Sequence, residues 1–108
     1  MINALEVFSN DLFGSIRGVN IEDVPYVYGN DIASILGYSV PRKAVWDHVQ
    51  EKHRKCLKYK AYLKTELASL WEKENDFSNK IMIDEAGVFS LILHSKQPKA
   101  EEFQDWVC

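Results

Sequence analysis

Basic side chains are concentrated in one stretch of the sequence, residues 41–64. This stretch carries eight Lys or Arg residues and two acidic ones, a net charge of +6, whereas the remainder carries five basic and fourteen acidic residues, a net charge of −9. Its basic residues are Arg42, Lys43, Lys52, Arg54, Lys55, Lys58, Lys60 and Lys64. Clustered Lys and Arg can neutralise the phosphates of nucleic acid. The same cluster is also typical of a solvated basic surface that pairs with acidic neighbours, and composition leaves both interpretations open.

Arg42 and Lys43 stand where a DNA-reading helix would present its first residues. Residues 31–49, DIASILGYSVPRKAVWDHV, predict two short helices joined at Gly37, with Pro41 in the first turn of the second. In a helix-turn-helix, the N-terminal residues of the second helix reach base edges in the major groove. Arg can bind guanine through two hydrogen bonds, and Lys binds phosphate or guanine as a point charge. The pattern therefore predicts a recognition helix, although short helices joined by glycine more often only pack.

Four residues have side chains that zinc binds, but their spacing does not favour a metal site. They are His48, His53, Cys56 and His94. The spacing matches no common paired-ligand module, and His48 falls on the apolar face of its predicted helix. We therefore expect neither a metal nor another cofactor.

The sequence contains no pattern typical of catalysis. Asp84 is better explained as a helix N-cap, and Glu85 as a first-turn acid that favours the helix dipole. His94 and Ser95 are consecutive on a predicted helix and so do not face each other. No phosphate-binding loop, nucleophile elbow or dinucleotide fingerprint is present. We expect the protein not to be an enzyme.

The hydrophobic pattern predicts an α+β fold, a small antiparallel sheet with four to five helices including the helix-turn-helix-like pair. Predicted strands cover residues 2–8, 12–19, 25–28 and 80–83. Asn30 is the predicted N-cap of the first helix, and Gly37 ends it with a positive φ. Residues 54–74 have apolar residues near helical spacing and are predicted to be helical at least in part. Asp84 is predicted to cap a further helix, and Phe103 lies on the apolar face of the last one.

The composition fits a single intracellular domain of 108 residues. Two cysteines make no disulfide framework, no apolar run is long enough for a membrane span, and the N-terminus carries no secretory signal. The last helix stops at its apolar face at Cys108, which indicates a domain cut from a longer protein.

Three separated blocks of the sequence resemble the Bro-N domain, which heads the BRO proteins of large DNA viruses and many phage and prophage antirepressors. These blocks are FGSIRGV, DIASILGY with PRKAVWDHV, and DEAGVFSLILHSKQPKAEEFQDWV. The resemblance covers nearly the whole chain, and the segment HRKCLKYKAYLKTELASLWEKENDFSN corresponds to the family's variable insert, for which it implies nothing. It implies a DNA-binding module of a viral or phage regulatory protein. We therefore expect the protein to act in the host nucleus or cytoplasm if it comes from a eukaryotic virus, and in the bacterial cytoplasm if it comes from a phage.

Together, the charge pattern and the resemblance predict a contact surface for duplex DNA. The expected contact residues are Arg17, Arg42, Lys43, Lys52, Arg54, Lys55, Lys58 and Lys60. Because the net charge of the whole chain is −3, binding should be modest and dominated by phosphate contacts.

A second interpretation is a protein-interaction module that binds a repressor or host factor. The acidic patches at residues 66–76 and 101–105 would attract a basic partner. Homodimerisation is compatible with either interpretation, and nothing in the sequence decides it.

Overall fold

The computed structural model describes residues 5–97 and 99–107, which form an antiparallel sheet with helices packed on it. The strands are β1 (Glu6–Asn10), β2 (Gly14–Ile21), β3 (Val24–Tyr28), β4 (Arg54–Leu57) and β5 (Lys80–Ile83). The helices are α1 (Gly29–Ile35), α2 (Pro41–His48), α3 (Glu85–His94) and α4 (Lys99–Val107). Short 3₁₀ turns occupy Glu51–His53, Tyr59–Ala61 and Glu66–Leu70. The predicted α+β class, with a small antiparallel sheet, is confirmed.

The strands lie side by side in the order β1-β2-β3-β5-β4, and every neighbouring pair is antiparallel. The first three strands form two consecutive hairpins. The Asn10 side chain accepts hydrogen bonds from the backbone N–H groups of Leu12 and Phe13 in the first turn. Glu22 and Asp23 make the second turn with positive φ angles of 52° and 66°. This connectivity leaves β1 and β4 at opposite edges of the sheet.

One face of the sheet is covered by the helices. Ile81 and Ile83 of β5 project into this layer, where they pack with residues from α1, α2 and α3. Leu91 of α3 and Phe103 of α4 are completely buried here. Burying these side chains supplies most of the driving force for docking short helices, which are marginal on their own.

The other face of the sheet is covered by the chain that follows β4, and here the predicted helix over residues 54–74 is wrong. Its beginning forms β4, which pairs with β5, and the rest contains only 3₁₀ turns. Leu67, Leu70 and Trp71 pack against Met82 on this second face. The apolar spacing therefore reflected burial against a sheet rather than an α-helix.

The predicted helix ends are partly confirmed. Gly37 has φ +85° after α1, and the Asp84 side chain accepts a hydrogen bond from the N–H of Gly87 at 3.0 Å. The predicted N-cap Asn30 is wrong, because Tyr28 takes that position and Asn30 lies inside the first turn of α1. The Asn30 amide instead donates to the hydroxyl of Tyr28 at 3.0 Å.

The helices are all short. The two predicted within residues 31–49 are present as α1 and α2, joined by residues 36–40. That this pair acts as a DNA-reading helix-turn-helix stays a prediction. In the described part of the chain, every helix lacks the length and apolar character needed to cross a bilayer.

Candidate nucleic-acid interface

Helix α2 turns one side to the core and the other to solvent. Ala44 and Val45 are buried, whereas Arg42, Lys43 and Trp46 are exposed. Trp46 is 47% exposed. Residues four apart share a helix face, so Trp46 lies beside Arg42 on the outer side. An exposed tryptophan between basic residues is a feature that the charge pattern did not reveal.

The two basic residues at the start of α2 have weak protein partners. Arg42 donates from Nη1 to the backbone oxygen of Asn79 at 2.8 Å, and Lys43 pairs with Asp47 one turn later. Both side chains are exposed, and surface pairs of this kind contribute about 0 to 1 kcal/mol. A phosphate group could therefore replace either partner at small cost.

Arg54, the first residue of β4, is held more firmly than Arg42 or Lys43, and its side chain lies against the C-terminal end of α2. Its guanidinium donates to the backbone oxygen of Val49 at 2.7 Å and lies 4.0 Å from the ring centre of Trp46. The hydrogen bond satisfies a carbonyl near the helix C-terminus, where a cation is favourable. The structure thus joins Arg54 of β4 to the outer face of α2 in a cation–π contact.

Four exposed lysines follow the path of the chain from α2 along β4. We call this set, Lys52, Lys55, Lys58 and Lys60, the lysine ridge. All four lack an ion-pair partner among the described residues. Because β4 is an edge strand, the ridge follows one side of the sheet; the register places Arg54 on the helix-covered face with Ile83 and Lys55 on the other face with Met82.

Arg17 lies apart from this surface, on β2. Its guanidinium makes two hydrogen bonds with Asp31, at 3.0 and 2.9 Å, and a third with Glu72 at 3.3 Å. The Asp31 carboxylate also accepts the backbone N–H of Arg17 at 3.0 Å, and its hydrogen bond with the guanidinium raises the pKa of Arg17. Arg17, an expected DNA contact, is half-buried, and three donors of its guanidinium already bond carboxylates within the fold. The geometry therefore favours a structural role.

A second internal ion pair lies close by. Lys80 is buried and binds the carboxylate of Asp76, which also accepts hydrogen bonds from the hydroxyl and N–H of Ser78. These hydrogen bonds, from Lys80 first and then Ser78, hold the pKa of Asp76 well below its usual range. Arg17 and Lys80 share a cavity of about 390 Å³, which we call the polar cleft, with Arg42 at its α2 end. Two of the basic residues in the cleft, Arg17 and Lys80, are thus neutralised from within the fold.

The histidines do not converge on one point. His48 is half-buried and stacks on His94 at 4.4 Å between ring centres, and His53 bonds the carboxylate of Asp84 at 2.8 Å. Nδ1 of His94 donates to the backbone oxygen of Ser90, since a carbonyl can only accept. No three His, Cys, Asp or Glu residues in the described ranges could hold a metal ion together.

Comparison with known proteins adds to this picture. A family model described as the BRO family, N-terminal domain, matches residues 15–108. A putative Bro-N domain-containing protein of Invertebrate iridescent virus 6 is 36% identical over 95 residues, 81% of this chain and 22% of that protein. A putative Bro-N domain-containing protein from Invertebrate iridescent virus 3 is 35% identical over 95 residues, which are 79% of this chain and 23% of that protein. An uncharacterized protein of Haemophilus influenzae is 35% identical over 79 residues, which are 73% of this chain and 33% of that protein. No solved structure matches the chain.

The fold and the candidate surface define a small α+β domain with a basic ridge at one sheet edge. By its sequence, the chain belongs to the BRO family and corresponds to the N-terminal domain of that family. This is a family of non-enzymatic domains associated with DNA binding in viral and phage proteins. The chain spans about a fifth to a third of the length of these relatives, at 22%, 23% and 33%.

Proposed function

We propose that this domain binds duplex DNA without catalysing a reaction, through the outer side of α2 and the lysine ridge, as part of a viral or phage regulatory protein. The observation that carries the proposal is the ridge itself. Its four exposed lysines have no described ion-pair partners, and two further basic residues, Arg42 and Lys43, are weakly held on α2. The family's association with DNA binding supports the same assignment.

The two parts of the surface have different roles in this proposal. The ridge lysines neutralise phosphates, which fixes the position of the duplex without reading its sequence. Arg42 and Lys43 then exchange Asn79 and Asp47 for a phosphate or a guanine edge. Trp46 and Arg54 hold the C-terminal half of α2 in place beside the ridge.

A salt titration tests the proposal. The probe is a fluorescently labelled duplex of random sequence, and the measurement is its anisotropy at several salt concentrations. We expect log K to fall with log salt at a slope of about −3 to −6, at about 0.9 per phosphate contacted. No binding at low salt would contradict the proposal.

A charge-matched pair of variants shows where the contact lies. Lys55→Gln with Lys58→Gln removes two ridge charges, and we expect about ten-fold weaker binding and a slope shallower by about 2. Lys96→Gln with Lys99→Gln removes the same charge near the start of α4, outside the ridge and the polar cleft. Equal losses in both variants would mean that net charge matters and the ridge does not.

The recognition-helix assignment needs its own test. Arg42→Ala with Lys43→Ala should weaken binding to a preferred sequence more than binding to random duplex, because base contacts carry specificity. Unchanged binding to both duplexes would remove α2 from the interface.

A second candidate function, binding a basic repressor or host factor, is favoured by the acidic side of α4. Glu101, Glu102 and Asp105 are exposed and lack described ion-pair partners, whereas Glu72 and Asp76 of the other acidic patch are paired. Capture of a basic repressor without DNA, lost in Glu101→Lys with Glu102→Lys, would support this function. A repressor that binds the variant equally well would count against it.

A further inference from the structure

Strand β1 is an open, apolar edge of the sheet in the described part of the chain. Val7 and Phe8, on opposite sides of the strand, are 57% and 49% exposed, and Leu12 in the following turn is 57% exposed. An edge strand presents unpaired N–H and C=O groups, and proteins usually protect such edges with charge or proline. The other edge, β4, carries two basic residues, Arg54 and Lys55, whereas β1 carries a single charged residue, Glu6.

An apolar cavity opens beside this edge, between the sheet and the helices. Its volume is about 280 Å³. Its walls are Phe8, Pro25 and Val27 from the sheet and Ile32, Val88 and Trp106 from the helices. An apolar cavity of about 150 Å³ can already hold a benzene ring, so this one can accept a large side chain.

Two acidic residues lie on the same strand side or helix face as residues that line the cavity. Glu6 lies two residues before Phe8 on the same side of β1, and Glu102 lies one helical turn before Trp106 on α4; both carboxylates belong to exposed residues. Between residues 5 and 41 the sequence has one basic residue, Arg17, which is bound to Asp31. The carboxylates of Glu6 and Glu102 near the cavity therefore repel phosphate and attract cations.

We call the open edge of β1 together with the apolar cavity beside it the β1 groove. We propose that the β1 groove docks an extended, positively charged segment of a partner protein. The segment adds as a sixth strand along β1, its backbone bonds the open edge, and a large apolar side chain enters the cavity. Flanking Lys or Arg side chains on the same side of the segment meet Glu6 and Glu102. A second copy of β1 offers no cation to Glu6 and Glu102, because residues 5–13 contain no Lys or Arg. The inference specifies the partner for the second candidate function and is independent of DNA binding at the opposite edge.

A synthetic peptide tests the groove directly. The probe is a labelled nine-residue peptide with Lys-Val-Phe-Val-Lys at its centre, which places both Lys and the Phe on one side of a strand. We expect saturable binding by fluorescence anisotropy, with shifts in the amide resonances of residues 6–10. Replacing the peptide Phe with Ala, or both Lys with Glu, should weaken binding about ten-fold or more. Absence of shifts in residues 6–10 would overturn the proposal.

Backbone methylation distinguishes strand addition from simple surface adhesion. Only alternate N–H groups of an added strand face the edge that it joins. Of two peptides methylated on alternate sets of backbone nitrogens, one should lose binding and the other should keep it. Equal binding by both peptides would overturn strand addition.

Protein variants separate this groove from general electrostatics and from the DNA surface. Glu6→Lys with Glu102→Lys should weaken the peptide about ten-fold and leave the ridge-dependent salt slope for DNA unchanged. Glu66→Lys with Glu74→Lys makes the same charge change at exposed positions away from the groove and should leave peptide binding within about two-fold. Equal weakening in both variants, or self-association through β1 in sedimentation velocity of the chain alone, would overturn the proposal.

Discussion

The polar cleft and the lysine ridge both contain several basic residues, but they use them in opposite ways. In the cleft, Arg17 and Lys80 are wholly or partly buried and each has a carboxylate partner within the fold. On the ridge, the lysines are exposed and have no described ion-pair partner. The difference shows that burial and pairing, rather than the presence of charge, separate cations that stabilise the fold from cations that are free to meet a ligand. The cleft should therefore respond to mutation through stability and the ridge surface through binding.

The largest effect should come from the cleft, with Asp31→Ala. This change removes the acceptor of three hydrogen bonds and leaves the partly buried guanidinium of Arg17 without its main partner. We expect the free energy of unfolding in urea to fall by about 2 to 4 kcal/mol. Asp11→Ala, at an exposed position, is the control and should change it by less than about 0.5 kcal/mol. Equal effects of the two changes would contradict the structural role of the pair.

Asp76→Asn should destabilise the protein in a pH-dependent way. The pKa of Asp76 is lower in the folded than in the unfolded state, so the folded state binds fewer protons there. Its stabilisation is complete above the unfolded pKa, about 4, and is lost as the pH falls below it. We expect the free energy of unfolding of Asp76→Asn to be lower than that of the wild type by about 1.5 kcal/mol or more at pH 7, because buried Lys80 loses a charged acceptor.

Urea unfolding of both proteins between pH 3 and 7 measures this difference. The difference in the free energy of unfolding between the wild type and Asp76→Asn should become smaller as the pH falls from 5 to 3. A gap that stays constant over this range would mean that the carboxylate charge of Asp76 does not stabilise the fold.

The contact between Trp46 and Arg54 lies where the interior meets the proposed interface. Trp46→Ala and Arg54→Lys, alone and combined, form a double-mutant cycle that measures it. We expect a coupling energy of about 0.5 to 1 kcal/mol in the free energy of unfolding, as for an exposed cation–π pair. A coupling energy near zero would mean that Trp46 and Arg54 do not support each other.

The smallest effect should come from Asp47→Asn on the outer side of α2. Removing this carboxylate releases Lys43 and takes one negative charge away from the proposed DNA surface. We expect about two- to four-fold tighter binding to the labelled duplex and little change in stability. Unchanged affinity would place α2 outside the interface even if the ridge binds.

Local chemistry made some features predictable and long-range packing hid others. Gly37 and Asp84 could be predicted because a positive φ and an N-cap each depend on a few neighbouring residues. Strand β4 could not, because it is only four residues long and exists by pairing with β5, more than twenty residues later. The predicted helix there failed because apolar residues three or four apart also suit a chain that lies over a sheet.

The candidate surface was predictable to a similar extent. The density of Lys residues was enough to suggest the ridge, because Lys is rarely buried without a partner. The pairing of Arg17 with Asp31 joins β2 to α1 across fourteen residues and has no local signal. The stacking of Arg54 on Trp46 likewise depends on how β4 docks beside α2.

The separation of charge between the two sheet edges also affects how the domain approaches a charged ligand. Lysines line the β4 edge, whereas the strands β1 to β3 and their turns carry four acidic residues and one basic residue. This arrangement gives the domain an electric dipole that runs roughly across its sheet. In the field of a polyanion, the domain would turn its lysine edge forward before contact, so that encounters become productive more often than random orientation allows. Raising the salt concentration would then slow association as well as weaken binding, because screening shortens the distance over which the domain is oriented.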